Sequence, residues 1–363
     1  MALSKIRSDS LEDTAIHGNR NLVINGAMQV AQRGTSFSSI TANVYPVDRF
    51  FVRDVNSAAG EATVSQSTTT PDDFKNSLKI DVTTADTSLV AADQYKIEYR
   101  AEGQDVAHLN WGTSAAKAVT LSFWIRSNKT GNTQVAVLNS DNNRSYVATF
   151  SISAADTWER KELTIDGDTS GTWLTTNGIG LRLRWGSFGS TYQTSSVNQW
   201  VGSQVMSRDD SPINFFDSTD NELYLTGVQL EVGEQATPFE HRSFGDELAR
   251  CQRYYEHTYP YGTAPGTANG GIGADHRYVG RETASNYGYY TAHYRVEKRA
   301  AATVTVYSYV GTANQIANGD TGGDSGAVGV IQSGTTSFLP RNTSGSGVSA
   351  RALLYHFKAD AEL

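Results

Sequence analysis

Val119-Thr-Leu-Ser-Phe-Trp-Ile-Arg126 alternates with period two. Val119, Leu121, Phe123 and Ile125 fall on one side, and Thr120, Ser122, Trp124 and Arg126 on the other. A helix would group apolar residues at three- and four-residue steps, so this run predicts a half-buried β-strand. Similar runs occupy 22–30, 75–82, 94–100, 146–152, 159–165, 180–185 and 222–231. Gly, Asn, Asp and Ser separate them. Many short strands at turn-separated spacing predict an all-β fold, with a large jelly-roll β-sandwich over 21–242.

A helix signal follows. Ser243-Phe-Gly-Asp246 can cap an N-terminus, and Asp246 and Glu247 suit the positive end of the helix dipole. Phe244, Leu248, Cys251 and Tyr255 share one helical face. A short linking helix is therefore expected over 243–257. Composition changes around it. All of the net charge of −8 lies in residues 1–242, whereas 243–363 hold ten basic and ten acidic residues. No Trp follows Trp200, and 12 of the 18 Tyr follow residue 250. Strand-like runs at 287–296, 303–309, 327–332 and 350–358 predict a smaller C-terminal β-sandwich over 258–363. Long loops are expected at 259–275, 311–326 and 333–349. Loops of that length on a β-scaffold suit recognition.

Several function classes fall away. No stretch approaches the ~20 apolar residues of a spanning helix, so membrane insertion is not expected. The first 20 residues lack a secretory apolar core, and synthesis in the host cytoplasm is expected. No basic stripe points to nucleic acid. Cys251 is the sole cysteine and lies on the apolar helix face, so no disulfide framework and no Cys-rich metal site can form. The seven His show no ligand spacing, so neither metal nor cofactor is expected. No nucleophile signature occurs. Glu98, Glu102 and Asp105 lie close enough in sequence to be glycosidase candidates, but a solvated role suits them better; no catalytic residue is assigned.

Aromatics are the better binding candidates, because sugar rings stack their apolar faces on Trp and Tyr. Trp124 sits on the polar side of its strand, and Trp173 lies near a turn. Tyr259, Tyr261, Tyr287, Tyr289 and Tyr290 cluster beside Gly-rich loops. Tyr offers rigid amphipathic surface at low entropy cost, and would serve a subunit interface equally well.

The long motifs resemble a known group. Asn21-Leu-Val-Ile-Asn-Gly-Ala-Met-Gln-Val-Ala-Gln-Arg-Gly-Thr35, Tyr45-Pro-Val-Asp-Arg-Phe-Phe51 and Gly178-Ile-Gly-Leu-Arg-Leu-Arg-Trp185 are similar to segments of bacteriophage tail-fibre and related virion structural proteins. So are Thr226-Gly-Val-Gln-Leu-Glu-Val-Gly-Glu-Gln-Ala-Thr-Pro-Phe-Glu-His-Arg242 and Lys358-Ala-Asp-Ala-Glu-Leu363. The resemblance implies a carbohydrate-binding-module-like jelly roll closed by its first strand (near 22–30) and last strand (near 222–231). It also implies a virion location and a homotrimer. Ser4-Lys-Ile-Arg-Ser-Asp-Ser-Leu-Glu-Asp-Thr-Ala-Ile16 is similar to short segments that dock a fibre to other virion proteins, so residues 1–20 are expected to dock, with Leu3, Ile6, Leu11 and Ile16 as the candidate contacts. The leading expectation is a fibre that docks by its N-terminus and contacts host-surface glycan. A non-adhesive capsid decoration or head fibre is the alternative, and a polysaccharide depolymerase the third.

Overall fold

The expected strand forms as Val119–Ser127, and its four core-facing residues are at most 2% exposed. The computed structural model describes residues 19–55, 59–268, 291–318, 324–342 and 353–363. Contacts divide the chain into two units. One holds residues up to Gln29 together with Ser36–Ser243; the other holds Val30–Thr35 together with Phe244–Leu363.

The first unit is a jelly-roll sandwich of two sheets. Six strands lie in the order Ser36–Phe37, Glu61–Ser67, Ser77–Thr84, Glu222–Val232, Val119–Ser127 and Glu159–Ile165. Seven form the facing sheet, in the order Trp200–Val201, Ser145–Ile152, Gly131–Leu138, Ile179–Phe188, Gln94–Glu102, Phe50–Val55 and Val44–Val47. The chain passes repeatedly from one sheet to the other, so each apolar face finds its partner across the core. Phe123 of the first sheet meets Phe150 and Trp185 of the second at ring separations of 5.2 and 5.7 Å.

Residues 22–30 do not form the expected first strand. Asn25 and Met28 have φ of 62° and 56°, which turns the backbone out of any extended run. Closure against the last strand is nevertheless made. Leu22 N donates to Leu230 O at 2.8 Å, and Val228 N donates to Gly26 O at 2.9 Å.

The helix is Phe244–Gln252, shorter than the expected 243–257. Tyr255–His257 instead pairs as a strand with Leu353–Asp360, and those ladder bonds replace the helical ones. Strands also occupy parts of the expected loops, at Gln315–Asn318, Asp324–Ser333 and Ser337–Asn342. Within 287–296 the described strand is Ala292–His293 only. The second unit's strands follow one path: Tyr255–His257, Leu353–Asp360, Gln315–Asn318, Asp324–Ser333, Ser337–Asn342, Ala292–His293, with Thr303–Ser308 also paired to Leu353–Asp360. Phe338 is three strands from Phe357 along this path, a flat distance of roughly 14 Å. Their rings are 4.8 Å apart, so the sheet folds over and buries both in one core. Among the described residues no helix is long and apolar enough to cross a membrane.

One buried group of this unit gives it a pH dependence. His257 is 4% exposed and its Nε2–H donates to the Gln32 carbonyl at 2.8 Å. Burial, reinforced by Arg295 and Arg33, pulls its pKa below the usual 6.5 despite its hydrogen bonds. Above that value the imidazole is neutral in both states. Below it, only the unfolded chain takes the proton. Stability should therefore fall as pH drops from about 7 to about 5.5, by on the order of 1 kcal/mol. Urea unfolding of the second unit at the two pH values measures this, and His257→Gln should flatten the difference.

Candidate functional site

Four loops gather at one end of the sandwich, where Glu102 pairs Ile179, Val119 pairs Ile165 and Leu138 pairs Ser145. Three indoles meet there. Trp111 follows the short helical turn at Ala107–Leu109, Trp173 sits in the loop after Glu159–Ile165, and Trp200 lies on the edge strand opposite Tyr146. Trp111 is 4.7 Å from Trp173 and 5.2 Å from Trp200, and Trp173 is 5.4 Å from Trp200, all edge to face. Tyr146 joins Trp200 at 5.3 Å. Edge-to-face geometry sets each ring's positive edge on its neighbour's negative face.

Each indole N–H is held inside the protein. Trp111 Nε1 donates to Lys117 O at 2.7 Å, Trp200 Nε1 to Asp166 O at 2.7 Å, and Trp173 Nε1 to Asp168 Oδ2 at 3.2 Å. Asp168 is itself buried and gripped by Arg144, with Nε on Oδ2 at 2.8 Å and Nη2 on Oδ1 at 2.5 Å. The Asn139 carboxamide oxygen accepts from Asn143 N and Arg144 N, which fixes the hairpin that carries Arg144. Trp111 is buried, while Trp173 and Trp200 are half-buried. The cluster thus offers pre-set ring surface with no indole N–H left to pair.

The face of the seven-stranded sheet turned away from the core carries a second feature. Arg184 lies opposite Glu98, Gly186 opposite Lys96 and Arg182 opposite Arg100. The Glu98 side chain is fully buried. Its Oε1 accepts from Arg100 Nε at 2.6 Å and Arg182 Nη1 at 2.9 Å, and its Oε2 accepts from Arg184 Nε at 2.8 Å. Lys96 Nζ is 3.3 Å from Oε2. Burial pushes the carboxyl up, but the four cations, Arg184 foremost, outweigh it and hold it well below the usual carboxylate range. Glu98 stays ionised and cannot supply the proton a glycosidase acid gives. Burial, then Arg184, lowers Lys96 to about 8.

The other sequence candidates are scattered. Trp124 is half-buried on the six-stranded sheet, where a Cβ on Gly227 would come within 2.9 Å of it and within 2.7 Å of Phe74. Tyr259 is a core residue, 2% exposed and stacked on His356 at 4.0 Å, with its hydroxyl accepting from Gly266 N. It is not available as a binding surface. Tyr261 is 48% exposed; Phe244 meets its ring edge-on, and its hydroxyl accepts from Ala31 N. Tyr287, Tyr289, Tyr290, Leu3, Ile6, Leu11 and Ile16 lie outside the described residues. Of the binding candidates only Trp173 enters the aromatic cluster. Trp111 and Trp200 were not among them.

Fold and site together define a two-sheet β-sandwich with an aromatic platform at one end. No family model and no curated protein matches the chain. Among solved structures it is similar to the enzymatically active domain of tailspike protein 4 of Bacteriophage CBA120. That match has 11% identity over 59% of this chain and 22% of the tailspike chain, with a TM-score of 0.29. A family 11 carbohydrate-binding module of a Clostridium thermocellum cellulosomal cellulase has 10% identity over 56% of this chain and 98% of its own, TM-score 0.27. TmCBM61, solved in complex with beta-1,4-galactotriose, has 10% identity over 59% and 99%, TM-score 0.28.

Proposed function

We propose that the chain is a non-catalytic fibre protein of a phage particle that holds host-surface glycan on the Trp173 and Trp200 rings. The observation that carries this is the three-indole cluster. Its N–H groups are all satisfied internally, and two of its rings reach solvent. Such surface suits the C–H faces of a pyranose, and rigid rings lose little entropy on binding. The motif resemblance supports a virion location, docking through residues 1–20 and a homotrimeric state, in which three weak sites act together.

The purified full chain should stain host cells and bind glycans on an array. Trp173→Ala and Trp200→Ala should each weaken that binding by about tenfold, on the order of 1.4 kcal/mol, with unchanged circular dichroism. Full binding by both variants would remove the platform from the reading. Light scattering reports the trimer, and antibody labelling of whole particles separates a tail fibre from a capsid decoration.

A further inference from the structure

We infer that the outer face of the seven-stranded sheet binds an anionic group of the glycan, so that the ligand is an acidic saccharide bearing carboxylate or phosphate. This rests on the glycan reading and adds a second subsite to it.

Lys96, Arg100, Arg182 and Arg184 surround a single carboxylate, Glu98, whose oxygens they saturate. Arg53 follows on the next strand, directly opposite Lys96. Counting Glu102, next on the same face of that strand, five cations meet two carboxylates, a surplus of three. Arg100 and Arg182 are direct cross-strand neighbours, a pairing of like charges that disfavours the sheet. Packing gives no reason to concentrate this charge, because each buried cation carries a desolvation cost. An incoming anion would repay it.

The hydrogen-bonding atoms point the same way. Arg53 Nε and Arg182 Nε are buried without a hydrogen-bond partner. Guanidinium N–H groups match the planar oxygens of a carboxylate or phosphate. Arg100 and Arg182 still reach the surface, with side chains 19% and 11% exposed. Phe51 lies under the Arg100 guanidinium at 4.7 Å, and Tyr45 is 5.5 Å from Phe51, so ring surface adjoins the charge. The patch is also tied to the aromatic platform. Arg182 Nη2 donates to Ser140 O, at the root of the hairpin whose Asn139 donates to Thr172 O beside Trp173. One chain of sugars could meet both.

Binding of the full chain to polygalacturonic acid, a poly(glycerol phosphate) and a neutral β-1,4-galactan tests this, at about 50 mM and about 300 mM salt to vary screening. At least one acidic polymer should bind roughly tenfold more tightly than the galactan at low salt, and that margin should shrink at high salt. The acidic polymer preferred identifies the anion. Arg53→Gln and Arg182→Gln should each cost about fivefold against that polymer, and Arg53→Gln should leave galactan binding unchanged. Glu98 keeps three cations in Arg182→Gln and all four in Arg53→Gln, because Arg53 does not touch it, so at least Arg53→Gln should keep the fold. Equal affinity for acidic and neutral polymers overturns the inference while sparing the glycan reading. Loss of all three affinities in the wild-type chain overturns both.

Discussion

Lys298→Met should destabilise the second unit by about 3–5 kcal/mol, the usual cost of removing one partner of a buried ion pair. Lys298 is fully buried and Glu256 1% exposed, at 2.6 Å. The ammonium spends its three hydrogens on Glu256 Oε2, Gln252 O at 2.5 Å and Val296 O at 2.8 Å. The carboxylate also accepts from Arg295 N and Val296 N. The pair therefore ties the end of the helix, the Tyr255–His257 strand and the 295–298 segment together. Removing the lysine strands a carboxylate away from water and orphans two carbonyls. Lys298→Met with Glu256→Gln should recover part of the loss, because the amide oxygen still accepts from the backbone and no bare charge remains. Hydrogen exchange at 255–257 and 353–360 measures the effect. All six Trp lie between residues 111 and 200, so tryptophan fluorescence follows the first unit independently. A loss below about 1 kcal/mol would show that water reaches Glu256 after all.

Val119–Ser127, apolar on one side and polar on the other, was legible in the sequence; Gly131–Leu138, apolar on both sides, was not. Val119–Ser127 and Glu159–Ile165 alternate because one side meets the core and the other meets solvent or polar neighbours. Gly131–Leu138 is buried along both faces from Thr133 onward, so Gln134, Val135, Ala136, Val137 and Leu138 show no period. Ala136 and Leu138 pack outward against Phe188 and Met206 in a small second cluster. Residues 22–30 failed the other way. Apolar spacing suggested a strand, but Asn25-Gly26 turns the chain, and what holds it is side-chain hydrogen bonding. The indole cluster had no local signal. Trp111, Tyr146, Trp173 and Trp200 come from four separate segments, and only sandwich closure brings them together. The cation patch did leave a trace, since Lys96, Glu98 and Arg100 alternate, as do Arg182 and Arg184. Their meaning needed the register that sets Arg184 against Glu98.

Gly26→Ala should be among the most damaging single-methyl changes in the first unit. A Cβ there would stand 2.0 Å from Val228 O and 3.2 Å from Asn21 Nδ2. No rotamer relieves a Cβ, so the Val228 N to Gly26 O bond has to open. A clasp around it joins residues 19–26 to 228–242. The Asn21 side chain donates to Val228 O at 3.0 Å and accepts from Val23 N and Leu230 N. Glu240 accepts from Asn19 N and Asn21 N at 2.6 and 2.9 Å, while Arg242 donates to Asn21 O and Val23 O. Gln229 Oε1 accepts from Glu240 N, and Glu231 holds both the N–H and the hydroxyl of Thr237. These residues close the sandwich, and their spacing follows from backbone atoms that leave little latitude. Glu240→Ala removes charged acceptors from backbone N–H groups at about 1.5–3 kcal/mol. Gly26→Ala removes the register itself and should cost more, about 3 kcal/mol or above. For a unit of this size that is a fall in Tm of roughly 6–12 °C, read by tryptophan fluorescence. Double substitution should fall short of the sum, because both changes release the same segment. A strictly additive pair would mean that Asn21 and Gly26 are held separately and that the clasp is not one cooperative element.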